Sequence, residues 1–299
     1  MYYNSLNNHY KNKFGEKVYK LSISAKVTCP NRDGNIDTRG CIFCSDSGSG
    51  EFAIHGKSVS EQIEKAKILV EKKIKNGKYI AYFQSFTNTY APIEYLREIF
   101  YEAINNQDIV GLAIATRPDC IDKNVLELLE DLNKIKPVYL ELGLQTSKES
   151  SVKYIRRGYE NNCYVEAVKE LKKINVNVVT HIIIGLPYEN EEDILNTVRF
   201  VSENKTDGVK LHLLHILKNT DLEKEYKEGK FKELELNEYI NILCKCIEIL
   251  PKEIVIHRMT GDGAKNMLVA PLWSADKKRV LNSINKEFRI RNIEQGSKS

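Results

Sequence analysis

The sequence predicts an α/β fold built on a parallel sheet, and two observations carry that prediction. Six short apolar runs recur along the 299-residue chain, each followed by a stretch with helical periodicity. Such alternation demands parallel pairing through right-handed crossovers. The runs are also nearly continuous in apolar residues, as befits strands buried on both faces. Two architectures satisfy the rhythm: a doubly wound sheet, or a closed or partial (β/α) barrel. No strand is followed by G-x-G-x-x-G or G-x-x-x-x-G-K-[ST]. That removes the usual reason to prefer a nucleotide-binding sheet, though not the fold itself.

The elements follow in order. Tyr19–Ala25 is a strand leading into a loop rich in Cys, Gly, Asp and Asn. Ser58 and Glu61 have the spacing of a capping box, opening a helix to about Asn76, with Gly77 ending it. Tyr79–Gln84 is a strand, and Pro92 opens a helix to about Asn105. Ile109–Ala115 is a strand; Asp122 caps a helix whose apolar stripe is Val125, Leu128, Leu129, Leu132 and Ile135. Val138–Leu144 is a strand with a helix to about Ile174, and Val176–Ile184 a strand with a helix from about Glu191. Val209–Leu217 is the sixth strand, and a helix spans about Leu236 to Leu250. A short apolar strand, Ile254–Ile256, follows.

Composition bounds the function. Hydrophobic residues are 42% and charged residues 29%, which reads as a soluble globular chain with a large core. Gly 16 and Pro 7 exclude collagen-like and low-complexity classes. No apolar run is long enough to span a membrane, and the polar N-terminal segment lacks the apolar core of a secretory signal. The expected location is the cytoplasm. Net charge is +4, unevenly spread: residues 1–30 carry +4, residues 275–299 carry +4, and the stretch between them −4. Basic ends on a mildly acidic body suit a polyanion such as RNA, and equally suit a merely solvated surface.

The cysteines number seven, and three crowd together: Cys29, Cys41 and Cys44. An odd count in a reducing compartment argues against a disulfide framework. Cys41 and Cys44 have the C-x-x-C spacing shared by zinc, iron–sulfur and dithiol redox sites. Structural zinc needs a fourth ligand, for which His55 is a loosely spaced candidate, and a dithiol site has no use for Cys29. Three thiolates on a four-iron cluster would leave one iron open to a reactive cofactor. Cys163, Cys244 and Cys246 fall in helical patterns and read as small buried apolar residues; nothing requires a role for Cys120.

In either architecture chemistry collects beyond the carboxyl ends of the strands. There the sequence places the three cysteines, then Gln84, Ser85, Thr87 and Asn88, then Thr116, Arg117 and Asp119. Glu141 to Ser147 follow, then Gly185-Leu-Pro187 with His181 just inside, then His212 and His215. Six strand ends bearing polar groups on one side point to a cleft.

These residues resemble the radical S-adenosylmethionine superfamily, most nearly its YhcC/YtqA-type family, related to the elongator catalytic subunit and to oxygen-independent coproporphyrinogen dehydrogenase. The resemblance rests on T-C-P-N-R-D-G at 28–34, G-C-I-F-C at 40–44 and Y-F-Q-S-F-T-N-T-Y-A-P at 82–92. It is extended by T-R-P-D-C at 116–120, L-E-L-G-L-Q-T-S at 140–147, R-R-G at 156–158, H-I-I-I-G-L-P at 181–187 and H-R-M-T-G-D at 257–262. It implies a partial (β/α)6 TIM-like barrel of the radical SAM type with a C-terminal extension. Residues 1–254 would form the core barrel with its basic N-terminal segment, and residues 255–299 the extension and basic tail.

The resemblance further implies a [4Fe–4S] cluster on Cys29, Cys41 and Cys44, with S-adenosylmethionine on the open iron. Gln84, Ser85, Arg117, Gln145, Arg157 and His181 are the implied cofactor contacts, Gln145 and Arg157 reaching its ribose and carboxylate. Three features depart from the superfamily pattern. Eleven residues separate the first two cysteines, where most members use C-x3-C-x2-C. Ala115 stands where relatives often carry Glu, and Gln84-Ser85-Phe86-Thr87 replaces the usual Gly-Gly-Glu.

Relatives in this family are associated with the wobble uridine of tRNA. The implied reaction is at the C5 side chain, from carboxymethylaminomethyl to aminomethyl. Implied partners are tRNA and an electron donor such as flavodoxin or ferredoxin, with no membrane. His215, His257, Arg258 and Asp262 are candidate substrate residues; Arg258 and Asp262 would equally form a structural ion pair. Trp273, the single tryptophan, reads as packing or as a base-stacking platform. Two other readings stand beside this one: a radical enzyme on a small molecule, and a zinc-stabilised RNA-binding protein without catalysis.

Overall fold

The computed structural model describes residues 2–48, 50–71, 77–261 and 263–299. Its strands are β1 (Val18–Ile23), β2 (Lys78–Phe83), β3 (Ile109–Thr116), β4 (Val138–Gln145), β5 (Asn177–Ile184), β6 (Gly208–Leu213), β7 (Ile216–Leu217), β8 (Val255–Arg258) and β9 (Leu268–Ala270). Helices α1 (Leu6–Phe14), α2 (Val59–Val70), α3 (Ile93–Ile104), α4 (Lys123–Ile135), α5 (Glu149–Tyr154) and α6 (Asn161–Lys173) lie in the first two thirds. Helices α7 (Glu191–Glu203), α8 (Asp221–Lys227), α9 (Leu236–Ile249) and α10 (Lys277–Ile290) complete the chain.

The order β1-β2-β3-β4-β5-β6-β8 forms one sheet in which every neighbouring pair is parallel. A doubly wound sheet must reverse its strand order at a switch point. Sequential order without reversal is that of a barrel, and the sheet curls into a half-barrel with β1 and β8 as its edges. The expected partial barrel is therefore present, widened by one strand. The sheet runs past residue 254, because the apolar run after it is edge strand β8, not an appendage.

Helix starts follow the expected caps. Ser58 accepts from Glu61 N, and Asp122 from Val125 N. Two expected elements are interrupted. The helix expected through residue 174 splits into α5 and α6, since Arg156 (φ 55°) and Gly158 (φ 83°) are left-handed and cannot continue it. The strand expected over 209–217 ends at Leu213, and Ile216–Leu217 pair instead with β9. The expected end of the second helix, near Asn76, lies outside the described residues. Trp273 is a packing residue: its Nε1 donates to Leu234 O at 3.0 Å and its ring meets Tyr239.

The basic ends are structured. Ser5 caps α1, and Tyr10 of that helix packs with Val18, Ile80, Tyr82, Ala113, Tyr139 and Val179, filling the lower concave side of the half-barrel. Just before α1, Ile256 N donates to Asn4 O at 2.8 Å, so the N-terminal segment lies on β8. Gln295 N donates to Tyr2 O at 3.0 Å, and Asn4 N donates to Gln295 Oε1 at 2.8 Å. The helices cover the outer face, where most of the core lies. Among the described residues no helix is long and apolar enough to cross a membrane.

Candidate active site

The loop between β1 and α2 carries all three clustered cysteines to the carboxyl end of the sheet. Tight turns fold it: Arg32 N donates to Cys29 O at 2.8 Å, and Cys44 N to Cys41 O at 3.0 Å. The Asn31 amide is its pin. Asn31 is 1% exposed. Its Nδ2 donates to Arg156 O at 2.7 Å and Arg157 O at 3.2 Å, and lies 3.5 Å from Cys41 Sγ. Arg156 Nε donates to Gly40 O at 3.0 Å, and its Nη2 bonds Asp221 at 2.7 Å. Arg32 Nη2 donates to Cys44 O at 2.9 Å and Ser45 O at 2.5 Å. The R-R-G run is thus the brace of the cysteine loop, and Asn31, Arg32 and Arg156, quoted within the motifs but given no role of their own, hold it.

Cys29, Cys41 and Cys44 line one cavity of about 180 Å³, together with Gln84, Ser85, Arg117, Gln145, Arg157 and His181. All nine residues expected at the cluster and cofactor meet there. Burial, then the neighbouring Cys44 thiol, pushes the Cys41 thiol up to about 12; Cys29 adds to that push. Crowded, partly buried thiols of this kind suit a metal centre, since a bound metal deprotonates its thiol ligands outright. Among the described residues no three His, Cys, Asp or Glu converge tightly enough to hold one metal ion. The three thiols border a shared space, which fits a cluster that gives each thiolate an iron of its own.

The strand ends around this cavity are strained. Ser85 (φ 73°) and Phe86 (φ 57°) are left-handed in succession after β2, and Gln145 (φ 65°) is left-handed at the end of β4. Such conformations persist where the surroundings over-determine them. Around Ser85 and Phe86 the surroundings are the glycines of the cysteine loop. A Cβ at Gly48 would lie 2.4 Å from the Phe86 ring, and one at Gly50 2.2 Å from Ser85 Cβ.

Three expected contacts acquire a different character. All five N–H groups of Arg157 are engaged: with Tyr159 O twice, Leu144 O, Thr146 O and Asn161 Oδ1, at 2.8–3.1 Å. No donor remains for a cofactor carboxylate, so Arg157 shapes the cavity wall. Arg117 holds Asp119 through Nε (2.9 Å) and Nη2 (2.7 Å) while lining the cavity beside Tyr159. His181 faces inward as expected, but its Nε2 lies 2.9 Å from Glu141 Oε2.

Glu141 is the centre of a network absent from the sequence reading. It is fully buried and accepts from Lys20 Nζ at 2.6 Å and from Lys210 Nζ. Burial opposes its ionisation, but Lys20, Lys210 and His181 outweigh that and hold it well below the usual carboxylate range. Lys210 Nζ also donates to Tyr82 Oη at 3.2 Å. Burial lowers Lys210 to about 7 and, with Lys210 beside it, His181 to about 4, so His181 is neutral at pH 7. A charged residue inside an apolar strand run was the available signal, in Y-L-E-L and V-K-L-H-L.

A second chamber of about 230 Å³ adjoins the first, sharing Phe43, Tyr82, Gln84, Gln145 and His181. His215 and Arg258, expected at the substrate, line it. Gly261 makes room for His215: a Cβ there would lie 2.5 Å from its ring. His257 sits lower, against Tyr139 and Gly208, and borders the barrel's side opening rather than this chamber. Asp262 lies outside the described residues.

Comparison with known proteins accords with this geometry. The chain matches the Radical SAM superfamily over residues 34–201 and the Radical_SAM C-terminal domain over residues 206–289. It is 43% identical to the uncharacterized protein YtqA of Bacillus subtilis, over 98% of this chain and 92% of that one. It is 36% identical to protein YhcC of Escherichia coli, over 89% and 85%. A tRNA uridine(34) acetyltransferase of Methanocaldococcus jannaschii is 28% identical over 54% of this chain and 30% of its own length. The solved structure of Methanocaldococcus infernus Elp3 superposes with a TM-score of 0.71 at 17% identity, over 93% of this chain and 64% of that one, a likeness of fold.

Proposed function

The chain belongs to the radical S-adenosylmethionine superfamily, and from that premise we propose that it is a radical enzyme acting on the C5 side chain of a tRNA wobble uridine, taking carboxymethylaminomethyl towards aminomethyl. The observation that carries the chemistry is the meeting of Cys29, Cys41 and Cys44 in one cavity at the mouth of a parallel half-barrel. Those thiolates would hold a [4Fe–4S] cluster with S-adenosylmethionine on its open iron. Bound there, the pair supplies reductive cleavage of the sulfonium carbon–sulfur bond to a 5′-deoxyadenosyl radical, the electron coming from a donor such as flavodoxin or ferredoxin.

The chain's own residues orient and shield. Asn31, Arg32 and Arg156 keep the loop in place. Arg117 keeps donors beyond those Asp119 takes and would meet a carboxylate, Gln84 and Ser85 line the same wall, and Gln145 and neutral His181 stand between the two chambers to meet hydroxyls. Tyr82, Phe43 and Tyr159 wall the space with ring surface and keep water from the reactive carbon. His215 and Arg258 would meet the substrate in the adjoining chamber.

The tRNA part of the reading is supported by basic ends, by fold likeness to Elp3 and by the named activity of the archaeal relative. Anaerobic reconstitution should give a brown protein containing iron and sulfide that forms 5′-deoxyadenosine, faster with tRNA. A colourless zinc-loaded protein, or unchanged C5 side chains in tRNA from a deletion strain by mass spectrometry, would overturn it.

A further inference from the structure

Strand β6 carries two basic side chains, Lys210 and His212, on the face that looks into the barrel. They lie two residues apart and so project from the same side, while Leu211 and Leu213 pack in the outer core. Lys210 is held by Glu141. One step nearer the carboxyl end, His212 borders the inner chamber of about 230 Å³, its ring 5.1 Å from that of His181. Its Nε2 is buried and has no hydrogen-bond partner among the described residues. Folds seldom keep a buried polar atom unsatisfied without a use for it. We infer that His212 is the proton acceptor of the substrate chamber: its Nε2 takes the proton that a substrate ammonium sheds once the carbon beside it has lost hydrogen.

The other proton acceptors around the chamber are engaged or walled in. His181 and Lys210 share Glu141. Glu51 accepts from the Ser45 and Ser47 hydroxyls. The ring of His215 packs against Gly261 and Gly263. Burial, then His181, Arg258 and Lys210, hold the His212 imidazole well below its ordinary range against the pull of Glu141, so it is neutral at pH 7. A base this weak leaves an ordinary secondary ammonium protonated. A radical on the adjacent carbon changes that, because the deprotonated nitrogen shares the odd electron and the ammonium becomes far more acidic. The substrate's own carboxylate works in the same direction by favouring the imidazolium.

The inference rests on the proposed function for its substrate, whose side chain joins a secondary ammonium to a carboxylate through one methylene. The step then balances. The methylene loses a hydrogen atom to the 5′-deoxyadenosyl carbon. The N–H bond breaks, its proton passing to His212 Nε2 and its electron pair staying on nitrogen. The carbon gives one electron to the iron–sulfur centre oxidised during cofactor cleavage, which leaves an iminium. Water adds to the iminium carbon and the carbon–nitrogen bond breaks, releasing aminomethyl uridine and glyoxylate, with one S-adenosylmethionine consumed.

The test uses the full chain, reconstituted anaerobically, and an anticodon stem–loop carrying 5-carboxymethylaminomethyluridine. Mass spectrometry counts aminomethyl uridine, glyoxylate and 5′-deoxyadenosine, which the parent should form in step. H212Q keeps a polar side chain that cannot accept the proton; H212E supplies one of the same size that can. H212Q should form about a hundred-fold less aminomethyl uridine per 5′-deoxyadenosine, and H212E should recover most of that ratio. Stem–loop affinity, read by anisotropy without S-adenosylmethionine, should be the same in the parent and both variants. A parent-like ratio in H212Q overturns the inference. An equal loss in H212Q and H212E, or weakened binding in both, makes His212 a wall of the chamber and overturns it too. In the parent alone, deuterium placed on the methylene beside the carboxylate should appear in 5′-deoxyadenosine; its absence there puts the abstraction elsewhere and removes the need for this base. A parent that forms 5′-deoxyadenosine but no aminomethyl uridine sinks the proposed reaction and this inference with it. One that forms both, matched by H212Q, sinks this inference alone.

Discussion

A missing side chain at position 158 lets the cysteine loop dock. Gly158 is left-handed (φ 83°), and a Cβ there would lie 2.7 Å from Asn31 Oδ1 and 3.0 Å from Ile36. Gly158→Ala adds about 1–2 kcal/mol of backbone strain and drives Asn31 from the carbonyls of Arg156 and Arg157. The expected outcome is a folded protein, unchanged by far-ultraviolet circular dichroism, that retains far less iron per chain after anaerobic reconstitution. Parent-like iron content would show that Asn31 is dispensable to the loop. At this scale the site was partly legible. Three cysteines within sixteen residues announce themselves by spacing alone. Asn31 does not, because its partners lie more than a hundred residues away. Arg157 was legible as a functional-looking guanidinium, yet its role is set by five acceptors that only folding brings around it.

Among the elements, α10 shows how charge can mask architecture. Its residues read as a basic tail, because cations outnumber acids across 275–299. Yet Val280, Ile284 and Phe288 repeat at four-residue intervals and are all buried. The helix packs as an amphipathic cover with its cations outward. The Phe288 ring also meets Tyr2 and Tyr3 edge-on, each at 6.1 Å. Phe288→Ala should therefore cost about 3–5 kcal/mol by urea unfolding. A loss below 1 kcal/mol would mean that α10 contributes no more than a solvated tail. Caps, by contrast, were legible at Ser58 and Asp122 because a cap is a local bargain between a side chain and the next turn. The breaks near residues 156 and 214 were not, since apolar periodicity runs through both.

For the molecule as a whole, Glu141 joins β4 to β1 and β6 across the concave side of the barrel. Its partners are 121 and 69 residues away in sequence. Glu141→Gln strips the Lys20 and Lys210 amines of their shared buried counter-charge, and should destabilise by about 3–5 kcal/mol in urea. The triple change K20M/E141L/K210M, apolar throughout, should recover most of that loss. If E141Q unfolds at the parent's midpoint, the network is ornamental. The architecture itself was legible because strand–helix alternation leaves few topologies. What separated a barrel from a doubly wound sheet was strand order, which no local pattern encodes.

The stitch between Asn4, Ile256 and Gln295 bears on how the protein is made. A nascent chain leaves the ribosome with α1 first, but the strand that receives the segment before it lies some 250 residues further on. The residue that pins that segment, Gln295, is made later still. Until Gln295 is made, the segment before α1 has nowhere to settle, and the half-barrel must be nearly finished before its plug is locked. Replacing Gln295 would therefore loosen the segment before α1, far away in sequence.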